Sequence, residues 1–473
     1  MNRRQLLGTT AVAALAGRTS AAPPRRPNLL FILVDQWRAS ALGHAGDPNV
    51  QTPHLDRLAG QSVRLTNTVS VCPVCTPYRA ALMTGRYPTS TGMFLNDAYL
   101  PEREVCLPEL LGAAGYDTAY IGKWHLDGHG RESYIPPERR QGWSTWYGAE
   151  CDHNYPHSHY YTGTSPDKRY WDGYDAFDQT RAASDFICSR QPESPPFCLF
   201  LSYGSPHFPH ATAPAEYRAL YDPAKLRLAP NVATEHEAAA RRELVGYYGH
   251  CSALDKCVGD LMTMLDQSGL AGETIVVFTS DHGEMMGAHG VSPTQKQWPY
   301  DEAALVPLLM RVPGVTPRVA TTPLTTPDLL PTLLGLAGLP VPASAEGEDL
   351  AAIVRGTAPD RDRAALYMSV SPFTARLTEY RAVRTRQHTY VRRLDGPWLL
   401  FDHRADPYQQ RNLADDATLR AEPERLLAAE LARIGDRFEP REAYLRRFGY
   451  TLAPHGSISY AAGAPVQTPR EQP

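Results

Sequence analysis

Residues Asn28 to Gln36 read NLLFILVDQ, an unbroken apolar run of strand length that ends in an acid. A half-exposed strand alternates apolar and polar residues, whereas a run without alternation needs cover on both faces, as inside a parallel sheet flanked by helices. YDTAYIG (from Tyr116), FCLFLSYG (from Phe197) and TIVVFTSDHG (from Thr274) repeat the pattern. Helical signals fall between them. Thr52 reads as an N-cap ahead of Pro53, LPELLGAAG (from Leu107) is a helix closed by glycine, and a long helical pattern runs from about Glu235 to Leu265. Alternating strand and helix predict an α/β fold, a sandwich on a mostly parallel central sheet.

The texture changes past Ala345. YRAVRTRQHTYVRRL and WLLFDHRADP hold shorter strand candidates, and a helix is expected from about Glu422 to Phe438. The expected organisation is therefore a main α/β domain over 27–345, a smaller C-terminal α+β unit with a short antiparallel sheet over 346–447, and an irregular tail rich in Gly, Ala and Pro over 448–473. A 473-residue chain with 42% hydrophobic and 21% charged residues has ample material for a large core. Its net charge of -4 is spread along the chain, which argues against nucleic acid as a partner.

At the N-terminus, Arg3-Arg4, a short apolar run from Leu6 to Ala16 and a small-residue exit at Thr19-Ser20-Ala21 look like a twin-arginine export signal over 1–22. The expected location is periplasmic or secreted. No later stretch has the roughly 20 apolar residues of a spanning helix. Eight cysteines without a compact framework predict mostly buried thiols, with room for one or two bridges.

Asp35 ends the first strand, and Asp281 and His282 end TIVVFTS. Open α/β sheets place their sites at the carboxyl ends of strands, so these three side chains are expected to converge. Two carboxylates with few nitrogens favour a hard cation, calcium or magnesium, over zinc, and Gln36 offers a neutral oxygen. The segment VCPVCTPYRAALMTGRYP (from Val71) then raises a question about Cys72 and Cys75. A zinc reading lacks a second ligand pair nearby, and a thioredoxin-like reading accounts for neither Arg79 nor the acids.

Cys75-Thr76-Pro77-Tyr78-Arg79 with Leu82 and Gly85 resembles the signature of the type I sulfatases, in which the cysteine of C-x-P-x-R is oxidised to formylglycine. NLLFILVDQ, TPHLDRLA, GYDTAYIGKWHL, PHFPH, TIVVFTSDHGE, the lysine of TQKQW and FDHRADPYQQRNLA extend the resemblance from Asn28 to about Leu413. It implies an alkaline-phosphatase-like fold and leaves Cys72 a bystander. Tyr78 stands where the family usually has Ser. Gln36 and His282 stand where many arylsulfatases have Asp and Asn, as in a branch that includes carbohydrate sulfatases and phosphonate monoester hydrolases.

The resemblance also implies roles. Asp35, Gln36, Asp281, His282 and the modified Cys75 would hold a divalent cation, calcium in first place and magnesium or manganese as alternatives. Arg79 would fix the formylglycine, His125 would act as the base beside Lys123, and His207 and Lys296 would face the ester oxygens. One of those two would protonate the leaving alcohol. Asn96 is a candidate substrate contact, and His210 a weaker candidate than His207. A formylglycine-generating enzyme is the implied maturation partner, acting before folded export. The region Tyr134 to Phe177, crowded with Trp, Tyr and His, is expected to be of low regularity and able to line a sugar subsite. The leading expectation is a metal-dependent sulfatase acting on a sulfated small molecule or glycan. A phosphonate monoester or phosphodiester hydrolase and a carbohydrate-binding relic with unmodified Cys75 are the alternatives.

Overall fold

The computed structural model describes residues 25–453 and 456–458. The expected export signal and most of the expected tail lie outside them. At the centre is a ten-stranded sheet whose middle strands, in spatial order, are Thr274–Ser280, Asn28–Asp35, Phe197–Pro206 and Asp117–Lys123, all parallel. Strand Leu308–Arg311 runs antiparallel beside Thr274–Ser280, so the sheet is mixed but mostly parallel.

The continuous apolar run of the first strand has the cause inferred for it. Leu29, Phe31 and Leu33 enter one core with the helices Cys75–Thr84 and Leu329–Leu336, while Leu30, Ile32 and Val34 enter a second core with the long helix Glu237–Gln267. All eight residues Asn28–Asp35 are buried. On the first face the rings of Phe31, Phe200, Tyr120 and Trp146 stack in turn across four neighbouring strands at 4.7, 5.3 and 5.2 Å. Such offset pairs each add about 0.5–1.5 kcal/mol beyond their area.

Several local expectations need correction. Thr52 does not cap the helix Pro53–Gly60 with its side chain. Its hydroxyl accepts from Gly43 N, and Asp255 on the long helix takes the first free amides instead, from His54 at 3.1 Å and Leu55 at 2.7 Å. The region 134–177 contains the strands Thr145–Ala149, His159–Thr162 and Arg169–Tyr170, which lengthen the main sheet by its edge. All eight cysteines are free thiols.

The smaller unit carries a four-stranded antiparallel sheet, Ala365–Ser369, Tyr380–Arg384, His388–Arg393 and Gly396–Asp402 in that order. Its helix spans Ala417–Arg433, several residues earlier than expected, because the Asp416 carboxylate caps it through Thr418 N and Leu419 N. Past the helix Arg441–Phe448, Tyr450 is buried against Phe94 and donates to Gly92 O at 3.0 Å.

His210 ties its own segment to two others. Its Nδ1 meets Glu243 of the long helix at 2.7 Å, and its Nε2 meets Glu284, in the loop after Asp281, at 3.0 Å. Burial opposes the charge, but the two carboxylates prevail and raise the ring from 6.5 to about 9. A ring that binds its proton more tightly folded than unfolded contributes its full stability below pH about 6.5 and loses it as the pH rises through about 9. Because Glu243 is part-exposed, the contribution is on the order of 2 kcal/mol. The melting temperature of the wild type should therefore fall between pH 7 and 9 with a slope that is absent from His210→Gln.

Candidate active site

The carboxyl ends of the central strands deliver Asp35, the Asp281–His282 pair and Lys123 to one edge of the sheet. Opposite them, Cys75 is the first residue of the helix Cys75–Thr84, following Val74 in extended conformation. Arg79 projects from the next turn. One of its terminal nitrogens donates to both Asp35 Oδ2 and Asp281 Oδ2 at 3.2 Å, and the other donates to Lys123 O and Ser202 Oγ at 2.8 Å.

Four side chains converge on the Cys75 sulfur. His282 Nε2 lies 3.4 Å away, Lys296 Nζ 3.5 Å, and Lys123 Nζ and Asp35 Oδ1 3.8 Å. Lys123 also donates to Asp35 Oδ2 at 2.6 Å. Burial and Asp35 oppose ionisation of the thiol, but Lys123 and Lys296 outweigh them and draw it well below the usual thiol range. By contrast, burial pushes Cys72 up to about 12. The two cysteines of the motif thus sit in opposite electrostatic surroundings, and only Cys75 faces the cluster.

Asp35, Cys75, Asp281 and His282 bring their ligand atoms within 4.8 Å of one another. The donor set suits a hard cation. Asp35 Oδ1 faces the sulfur while Oδ2 is held by Arg79 and Lys123. Asp281 Oδ1 accepts from the amides of Gln36 and His282 at 3.0 and 2.9 Å. His282 Nδ1 donates to Gly283 O at 3.0 Å, which fixes the tautomer that leaves an Nε2 lone pair for the cluster. Gln36 Oε1 accepts from Lys296 at 3.1 Å, and its buried Nε2 has no partner among the described residues. Burial and the Asp35 charge push Asp281 up to about 6, and Asp281 draws His282 upward against burial. Asp35 goes the other way: against burial, Lys123, His207 and Arg79 draw it well below the carboxylate range.

His125 sits at a backbone φ of 59°, in the left-handed region. The loop after it is held by Glu150, which accepts from Leu126, Asp127 and Gly128 amides at 3.0–3.1 Å. Its Nε2 lies 2.7 Å from Asp97 Oδ1, and Arg131 secures that carboxylate at 3.0–3.1 Å. His125 Nδ1 is buried and makes no hydrogen bond among the described residues. Burial opposes protonation of the ring, but Cys151 and Asp97 raise it well above the ordinary imidazole range. His207 is the reverse case, held well below that range by burial, Lys296 and His153. Its Nε2 lies 2.8 Å from Lys296 Nζ.

Asn96 Oδ1 accepts from Thr76 N at 3.0 Å, beside the reactive residue, whereas His210 is committed to its two glutamates. Four contributors went unread in the sequence: Asp97, Glu150, Cys151 and His153. His153 stacks on His207 with centroids 4.2 Å apart and lies 3.5 Å from both Lys123 Nζ and Cys151 Sγ. The density of His and Tyr in CDHNYPHSHYY was the signal available, but it pointed to the region without distinguishing which imidazole faces the site.

The chain is similar to known proteins in sequence and in fold. Residues 27–339 match the Sulfatase family, and residues 287–435 match the family described as N-sulphoglucosamine sulphohydrolase, C-terminal. An ulvan-active sulfatase of Formosa agariphila is 48% identical over 437 residues, covering 91% of this chain and 86% of that protein. An endo-4-O-sulfatase of Bacteroides thetaiotaomicron is 29% identical over 82% of this chain and 88% of its own. Among solved structures, a putative sulfatase yidJ from Bacteroides fragilis superposes with a TM-score of 0.82 at 30% identity, over 89% of this chain and 99% of that one. The chain belongs to the sulfatase family and is a sulfuric ester hydrolase with the alkaline-phosphatase-like fold.

Proposed function

We propose that this sulfatase removes sulfate esters from a sulfated polysaccharide or oligosaccharide, using a formylglycine made from Cys75 and a divalent cation, calcium in first place. The observation that carries the reading is the convergence of Asp35, Lys123, His282 and Lys296 within 3.8 Å of one buried sulfur. The substrate class is supported by the relative named for activity on ulvan and by the endo-4-O-sulfatase.

The cation would be held by Asp35, Gln36, Asp281, His282 and residue 75, and would supply charge neutralisation for the sulfate oxygens and a lowered pKa for the attacking hydroxyl. Hydrated formylglycine supplies two hydroxyls on one carbon, so a sulfate accepted by one can be expelled by ionisation of the other. The remaining tasks fall to unmodified side chains. Arg79 keeps both carboxylates and the start of the helix in register. Lys123 and Lys296 stabilise negative charge beside residue 75. His207 is neutral and in contact with Lys296, so this pair can deliver a proton to the departing alcohol. His125, with Nε2 held by Asp97 and Nδ1 without a hydrogen-bond partner among the described residues, is the base assigned to the release of sulfate. Asn96 is assigned to the substrate side through its place beside Thr76.

The localisation assigned to the protein is periplasmic or secreted. The support is the Arg3-Arg4 leader, and no described helix is long and apolar enough to cross a membrane. Maturation of Cys75 then precedes folding and export, because the folded residue is buried. Hydrazide labelling and peptide mass spectrometry of residues 65–79 should find an aldehyde at position 75 and an intact thiol at Cys72. An unmodified Cys75 in a fully active preparation would overturn the nucleophile assignment.

Asp281→Asn should keep the fold and lose bound metal, with turnover down on the order of 10³-fold. Elemental analysis after dialysis, with calcium-dependent melting as a second readout, checks this; undiminished metal content refutes the ligand set. Across a panel of ulvan, aryl sulfate, phosphate diester and phosphonate monoester, release should be fastest from the sulfated polysaccharide. Faster turnover of the phosphorus esters would replace the proposal with the hydrolase alternative.

A further inference from the structure

Beside the reactive residue lies a cavity of about 500 Å³ whose lining includes Phe208, Lys296, Trp298, Phe373 and Arg376. Lys296 belongs both to this lining and to the cluster, with its Nζ 3.5 Å from Cys75 Sγ and 6.0 Å from the centre of the Phe208 ring. Phe208 follows His207, and both aromatic walls, Phe208 and Phe373, are half-buried. The indole N–H of Trp298 is buried and has no hydrogen-bond partner among the described residues. Arg376 is exposed; its guanidinium donates to Gly290 O at 3.4 Å and has no carboxylate partner among the described residues.

Gln297 makes the cavity a constructed one. This residue sits at a left-handed φ of 69° and joins three segments. Its amide donates to Pro73 O at 3.0 Å, two residues before Cys75, and its carbonyl accepts from Tyr380 Oη at 2.8 Å. Its side chain bridges Ser371 O at 3.3 Å and Phe373 N at 2.9 Å. The loop bearing Phe373 and Arg376 is therefore clamped to the loop bearing Lys296. A non-glycine residue held in that backbone region costs about 1–3 kcal/mol, which the surrounding bonds must offset.

We infer that this cavity is the subsite for an anionic sugar residue adjacent to the one that carries the scissile sulfate, with Arg376 pairing its carboxylate or second sulfate. Half-buried aromatic faces suit the apolar face of a pyranose ring, and a guanidinium without an acidic neighbour suits a planar or tetrahedral oxyanion. This assignment rests on the proposed glycan sulfatase activity and narrows its substrate to a polyanionic chain.

The test compares wild type and Arg376→Gln on three matched sulfated oligosaccharides: one with a uronate next to the sulfated residue, its carboxyl-reduced form, and one with a second sulfate on a neutral neighbour. Replacement should raise KM about tenfold, the cost of one charge-assisted pair, on whichever anionic form the site accepts, with kcat little changed and no effect on the carboxyl-reduced form. The uronate and disulfated arms tell the two anions apart. Equal KM values for both proteins on all three substrates, or the same loss on the carboxyl-reduced one, would overturn the subsite. Absence of sulfate release from every substrate by the aldehyde-bearing wild type would instead refute the proposed function on which the subsite rests.

Discussion

Arg79 donates from a single nitrogen to Asp35 and Asp281, and that shared contact fixes where everything else in the site must stand. All three residues are essentially inaccessible to water. Charges taken out of water cost several kcal/mol each unless paired and hydrogen-bonded, so this geometry is stable only as a set. Ser202 and the Lys123 carbonyl occupy the other end of the guanidinium, which locks the reactive helix to two neighbouring strands of the central sheet. The aromatic stack of Phe31, Phe200 and Tyr120 holds those same strands together below the site. Packing in the core and alignment at the carboxyl edge are thus one constraint.

Four of the nine non-glycine left-handed residues among those described stand at or beside the same edge. Gln36, Asp97, His125 and Gln297 all adopt left-handed backbone conformations without being glycine. Each stands next to a residue that acts on the cluster or acts on it directly. Such conformations persist where the surroundings over-determine them. At Gln36 the surroundings are the Asp281 carboxylate on its amide and the Tyr247 hydroxyl on its carbonyl. At His125 they are the Glu150 bonds to the following amides and the Thr76 hydroxyl on its carbonyl.

This distribution explains what the sequence disclosed. Asp35, Cys75, Arg79, Asp281 and His282 were legible because each lies at a place that local pattern marks: the end of an apolar strand or a short motif at a helix start. Strand burial was legible for the same reason, since absence of alternation in NLLFILVDQ is itself the evidence of two covered faces. Asp97, Glu150 and His153 were not, because their work is to hold residues many positions away through bonds that only the folded chain brings together. Thr52 misled for a related reason. Its residue type fits an N-cap, but Asp255 from a helix distant in sequence takes the same amides with both carboxyl oxygens. The region 134–177 hid its short strands because two to five residues are too few to show a period.

The electrostatic field at position 75 belongs to the position more than to the atom there. Lys123 and Lys296 draw the Cys75 thiol down, and any oxygen placed where the sulfur stands would meet the same two ammonium groups in the same water-poor setting. Lys123 is buried and tied to Asp35, so its charge is partly spent within the protein. Lys296 has no carboxylate contact in the cluster; it touches Gln36, His207 and the sulfur, and it is only half-buried. It is therefore the cation with most capacity left for an incoming ester oxygen. The next residue is Gln297, whose strained backbone anchors the C-terminal loop. Charge compensation at sulfur and the shape of the neighbouring cavity consequently depend on one turn of chain, so a substrate seated in that cavity bears directly on where the Lys296 ammonium lies.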